Sequence, residues 1–198
     1  ELLGRTLAHP LLVAPMAWQR MVHADGEIAM AHAAAAQGAG MVLSTQASQP
    51  LEAVAQAFAA YPEAGPLWFQ LYLQADRGFT RQLVQRAEAA GYQALVLTVD
   101  APVQGARDRE RRAGFRLPPG ISAVNLDGAP PAASLLDTAP TWDDVHWLQG
   151  ITRLPVLLKG VMHLDDARQA ATLGVAGLIV SNHGGRTLDT AVSTAYAL

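Results

Sequence analysis

Ser181-Asn182-His183-Gly184-Gly185-Arg186 joins an imidazole, two glycines and a guanidinium directly after the apolar run Gly177-Leu178-Ile179-Val180. A strand ending this way gives a close-approach loop that holds a proton acceptor beside a fixed cation, an arrangement suited to an anionic substrate. Taken alone, the loop reads equally well as a hydrogen-bonded surface turn. Asp100 closes the run Ala94-Leu95-Val96-Leu97-Thr98-Val99, where a carboxylate can orient an imidazole and stabilise its protonated form. In isolation it is read more simply as a turn or N-cap residue ahead of Ala101-Pro102.

Arg107, Arg109, Arg111 and Arg112 form a short basic run. Most such runs are solvated faces, but a guanidinium also makes the bidentate clamp that carboxylates prefer, and one inward-pointing member is enough for that. Lys159 is the only lysine among 14 basic residues and ends the apolar strand Val156-Leu157-Leu158. There it either snorkels outward or stabilises negative charge developing on a bound cofactor. Gln70 and Tyr72 alternate in Trp68-Phe69-Gln70-Leu71-Tyr72 and so share one strand face. Among apolar neighbours they must bind something or satisfy each other. Asp143, Asp144 and His146 read as a helix start after Thr141 rather than as metal ligands. Ser44 lacks a Gly-x-Ser-x-Gly setting, and the glycines match neither a dinucleotide fingerprint nor a P-loop.

These residues need a scaffold. Short apolar runs at residues 11–14, 41–44, 67–71, 94–99, 156–159 and 177–180 predict six strands, and stretches of helical period at 27–37, 51–60, 80–90 and 164–173 predict crossover helices. Continuous apolar runs fit parallel strands covered on both faces. The βα alternation allows a doubly wound sheet or a (β/α)₈ barrel. Polar residues at the end of nearly every predicted strand favour the barrel, which draws its site from several strands. A complete barrel has eight strands in about 250 residues. The expectation is therefore a single domain, 1–198, short of two strands, with a lid-like insertion at 105–140. An edge hairpin opens the chain and a helix closes it.

Net charge is −3 over 198 residues, with 51% hydrophobic and 16% charged residues. That balance predicts a folded core and excludes nucleic-acid binding by bulk charge. No apolar run reaches the roughly 18 residues a membrane span needs, and the start Glu1-Leu2-Leu3-Gly4-Arg5 does not read as a signal peptide. Without cysteine there is no disulfide, thiolate metal site or thiol nucleophile, so redox chemistry requires a cofactor. A cytoplasmic location is expected.

Across residues 7–198 the sequence resembles the FMN-dependent α-hydroxy-acid oxidases and dehydrogenases, a family that includes glycolate, lactate and mandelate oxidising enzymes. The His183 loop carries the likeness, supported in order by Ala14-Pro15-Met16-Ala17, Phe69-Gln70-Leu71-Tyr72, Leu97-Thr98-Val99-Asp100 and Leu158-Lys159-Gly160. The resemblance implies oxidation of a small 2-hydroxy acid to a 2-oxo acid, with FMN as cofactor, no metal, and a homo-oligomer of four or more subunits. It implies that Pro15, Met16 and Ala17 line the flavin, that Ser44, Gln70 and Thr98 hydrogen-bond it, and that Lys159 stabilises its anionic reduced form. His183 becomes the base, Asp100 its support, Arg107 and Arg186 the carboxylate clamp, and Tyr72 a partner of the substrate oxygen.

Departures from the family are expected to matter. The N-terminal helical segment with a further tyrosine is not in this sequence, nor are the last two strands, which hold the FMN phosphate. Gln46 stands where glycolate oxidase has Trp. Two alternatives accompany this reading: a non-catalytic barrel remnant acting as an interaction module, and another FMN barrel such as a type 2 isopentenyl diphosphate isomerase.

Overall fold

Alternation of side chains along six parallel strands builds two apolar layers from one sheet. The computed structural model describes residues 1–131, 134 and 136–198. The strands are β1 (Leu12–Val13), β2 (Gly40–Leu43), β3 (Leu67–Leu71), β4 (Leu95–Thr98), β5 (Val156–Lys159) and β6 (Gly177–Ile179). They are joined through α1 (Glu27–Ala36), α2 (Leu51–Ala59), α3 (Arg77–Ala89), α4 (Asp108–Arg112), α5 (Trp142–Ile151) and α6 (Leu164–Thr172), and α7 (Thr194–Ala197) follows β6.

Strand order is β1-β2-β3-β4-β5-β6, every neighbouring pair parallel. A doubly wound sheet reverses its order at a switch point, whereas a barrel adds each strand beside the last. The sheet is therefore a half-barrel, as the strand-end polar residues suggested. Met41, Leu43, Phe69, Leu71, Leu95, Leu97 and Leu158 pack outward against the helices. Val42, Trp68, Val96 and Leu157, one position out of phase, form a second cluster on the inner face. By the same period of two, Ser44, Gln70, Thr98 and Lys159 follow on that inner face toward the strand C-termini.

The differences from expectation are local. Helix α3 starts at Arg77, three residues early, because Asp76 caps it by accepting a hydrogen bond from Phe79 N at 2.9 Å. The opening hairpin reduces to one antiparallel bridge between Leu2 and Arg5. Helix α4, inside the basic run, was not foreseen. Helix α5 begins where Thr141 and Asp144 suggested, with a reciprocal capping box that uses the Asp144 carboxylate. Ala132, Ala133 and Leu135 of the expected lid lie outside the described residues. Among the described residues, no helix is long and apolar enough to cross a membrane.

Candidate active site

Beyond the strand C-termini lies a cavity of about 590 Å³, within the range typical of cofactor and substrate sites. Pro15, Met16, Ala17, Ser44, Gln70, Tyr72, Thr98, Arg107, Lys159, His183 and Arg186 all line it. Asp100 sits just behind that lining.

A connected amide and hydroxyl network forms one wall. Gln70 Oε1 accepts from Ser44 Oγ at 3.3 Å and from Thr45 N at 3.2 Å, while its Nε2 donates to Thr98 Oγ1 at 3.0 Å. Gln70 and Tyr72 therefore do not satisfy each other, one of the two outcomes their shared face allowed. Gln70 is held by β2 and β4, and only one of its two Nε2 hydrogens is used on Thr98. Glu27 ties the turn that follows Pro15-Met16-Ala17 to the segment after β2. This fully buried carboxylate accepts from Gln19 N at 3.0 Å, Ser48 N at 2.9 Å and Ser48 Oγ at 2.8 Å. Sequence reasoning assigned Glu27 no role; an acid as the first residue of an apolar, alanine-rich helix was the available signal.

His183 Nδ1 lies 2.7 Å from Asp100 Oδ1, and His183 Nε2 lies 3.5 Å from the Tyr72 hydroxyl. A carboxylate only accepts, so the short contact requires a proton on Nδ1, and in the neutral imidazole the lone pair is then on Nε2, the nitrogen toward Tyr72. Asp100 is thus an imidazole partner and not a turn cap. Its approach depends on Gly160, where an added Cβ would come within 2.4 Å of Asp100 Cβ. Asp100 Oδ2 makes no hydrogen bond and faces Lys159 Nζ at 4.0 Å. Burial pushes the Lys159 ammonium below its ordinary value, and Asp100 opposes that shift. The Tyr72 phenol is pushed up by burial first and by the Asp100 charge second, while Arg107 and Arg186 pull it back. It therefore stays an O–H donor at neutral pH.

Of the four arginines in the basic run, only Arg107 lines this cavity; Arg109, Arg111 and Arg112 are exposed. Arg186 reaches the same region because the β4 loop packs on its backbone at Gly105, where a Cβ would meet the Arg186 carbonyl oxygen at 1.9 Å. Trp18, Arg107 and His183 hold left-handed backbone at φ 51°, 45° and 56°, and all three line the cavity. Such strain costs on the order of 1–3 kcal/mol per residue and collects at functional sites. Trp18, Met21, Glu110 and Phe115 also line the cavity and were not singled out from the sequence.

The arrangement can bind an anion between two guanidiniums, accept a proton at His183 Nε2, and offset negative charge at Lys159. The FMN-dependent dehydrogenase family model matches residues 1–198. An L-lactate oxidase of Nostoc sp. (strain PCC 7120) is 49% identical over 213 residues, covering 100% of this chain and 58% of that protein. Glycolate oxidase 1 of Oryza sativa subsp. indica is 43% identical, covering 99% of the chain and 56% of its own length. A mandelate oxidase variant solved with an FMN adduct superposes with a TM-score of 0.88 at 42% identity, covering 100% of the chain and 56% of that structure. The chain thus spans little more than half the length of the relatives it matches.

Proposed function

This chain belongs to the FMN-dependent dehydrogenase family, and on that premise we propose that the protein oxidises a 2-hydroxy acid to a 2-oxo acid using FMN. One observation carries the reading: His183, with Nδ1 held by Asp100, turns Nε2 into a cavity shared by Arg107, Arg186 and Lys159. A diphosphate isomerase has no comparable need for an imidazole base beside a carboxylate clamp.

The lining residues fit the cofactor. Ser44, Gln70 and Thr98 present a hydrogen-bonding wall, Pro15, Met16 and Ala17 an edge, and Lys159 a largely buried cation whose anionic partner stands 4.0 Å away. Those residues would hold the flavin ring. When bound, FMN supplies the two-electron oxidising capacity that no side chain here provides.

The chain's own groups do the rest. Arg186 and Arg107 fix the substrate carboxylate, which sets the α-carbon at a defined place and converts a collision into a local event. Tyr72 donates its hydroxyl hydrogen to the substrate oxygen. His183 Nε2 takes the proton, and the Asp100 carboxylate stabilises the resulting imidazolium through Nδ1–H. Lys159 offsets the negative charge that reduction leaves nearby. Segment 105–140 acts as the lid, a reading supported by Arg107, Glu110 and Phe115 all facing the cavity from it.

The test is the visible spectrum of the full-length protein, recorded anaerobically before and after lactate, glycolate or mandelate. Loss of the flavin band with at least one acid is expected. A bound flavin that none of the three reduces would exclude lactate, glycolate and mandelate as substrates, and purified protein without flavin would overturn the cofactor.

A further inference from the structure

Glu110 has no part in the reaction proposed above, yet it occupies the centre of the carboxylate clamp. Its Oε1 accepts from Arg186 Nη2 at 2.8 Å, and its Oε2 lies 3.7 Å from Arg107 Nη1. One carboxylate therefore has one oxygen toward each guanidinium, in the cavity that also holds Tyr72 and His183. A substrate carboxylate bridging the same two arginines would make the same kind of contact.

Two facts bear on what happens when a substrate arrives. The Arg186 and Glu110 side chains are 50% and 36% exposed, and ion pairs this wet are weak enough to exchange. Glu110 also leaves the clamp incompletely satisfied: Arg107 Nε is buried without a hydrogen-bond partner. Arg107 and Glu110 lie one helical turn apart around α4, so Glu110 can withdraw by rotamer change while the Arg107 backbone stays in place.

We infer that Glu110 is the resident counter-ion of the clamp, holding Arg107 and Arg186 together in the free enzyme and yielding them to the substrate carboxylate. The inference rests on the clamp assigned above. Glu110 is a positioning residue that lowers substrate affinity, because each binding event must displace it. A residue that merely braced the arginines would have the opposite sign: its removal would loosen binding.

The experiment measures the dissociation constant of 2-hydroxy-2-methylpropanoate on the full-length, flavin-loaded protein by calorimetry. This acid has no α-hydrogen and cannot be oxidised, so binding is read without turnover. Glu110→Gln should bind it roughly fivefold more tightly than wild type, the scale of one partly exposed ion pair. Glu110→Ala should shift the same way without an amide able to bond Arg186. Asp108→Asn makes the same charge change on the same helix, but Asp108 pairs with Arg111 at 3.3 Å with both side chains exposed, so its affinity should equal wild type. Equal or weaker binding by both Glu110 variants would overturn the counter-ion role. Tightening by Asp108→Asn to the same degree would also overturn it, by reducing the effect to net charge. If wild type and all variants fail to bind the acid, the clamp itself is wrong and Glu110's role falls with it.

Discussion

His183 Nδ1 and Asp100 Oδ1 meet at 2.7 Å across 83 residues of sequence. Each comes from the end of a different strand, β6 and β4, with β5 between them contributing Gly160 and Lys159. The contact fixes which imidazole nitrogen faces the cavity and supplies a counter-charge for the imidazolium. Asp100→Asn removes that charge, and His183→Ala removes the acceptor. Both should leave flavin bound and slow its anaerobic reduction by at least ~10²-fold, the low end for loss of a general base. Stopped-flow reduction at unchanged speed in either variant would exclude that residue from the chemistry.

Arg107 and Arg186 should act on binding more than on turnover. A hydrogen bond to a charged group contributes about 1.5–3 kcal/mol, so Arg107→Ala should weaken substrate binding by roughly 10–100-fold. Arg186→Lys keeps the charge but loses the planar fork, and should also weaken binding. The two effects should be less than additive, since both residues contact Glu110. Unaltered affinity in Arg107→Ala would return it to the solvated face occupied by Arg109 and Arg112.

Much of this site was legible in the sequence because a parallel strand announces itself as an apolar run and the residue ending it is conspicuous when polar. Ser44, Gln70, Thr98 and Lys159 were found that way, and the half-barrel places them on one inner face. Residues whose importance depends on a partner distant in sequence were not legible. Glu110 sits in a basic run beside Asp108, and nothing local separates the acid that meets Arg186, 76 residues away, from the one that pairs outward with Arg111. Glu27 was hidden likewise, since its donors come from loops on both sides of α1. The bent backbone at Trp18 and Arg107 was also invisible, because neither is glycine or asparagine and only tertiary packing holds them in the left-handed region.

Lys159 offers a test that does not depend on the substrate. Its ammonium is partly desolvated, so it favours any nearby group that becomes negative. Lys159→Met should make the bound flavin harder to reduce, lowering its two-electron potential by about 30 mV or more, the equivalent of about 1.4 kcal/mol. Redox titration of the two holoproteins measures this directly. An unchanged potential would place the Lys159 charge away from the flavin and leave it only as a partner of Asp100.

Tyr92 links the core to alkaline stability. It is buried, stacks edge-on against Phe69 with centroids 5.6 Å apart, and donates its hydroxyl hydrogen to the Leu51 carbonyl at 2.9 Å. Burial pushes its phenol far above the ordinary tyrosine range. The folded protein thus keeps a proton that the unfolded chain loses near pH ~10, and the resulting stability is complete below that pH and falls as pH rises past it. One proton corresponds to about 1.4 kcal/mol per pH unit. Tyr92→Phe should cost about 1 kcal/mol at pH 7 through the lost hydrogen bond. Above pH ~10 it should lose stability less steeply than wild type, so the two urea-unfolding profiles converge. Lys159 and Tyr72 titrate in both proteins and cancel in the comparison. Profiles that stay parallel from pH 9 to 11 would mean that the Tyr92 hydroxyl ionises in the folded state as easily as in the unfolded chain, contrary to its burial.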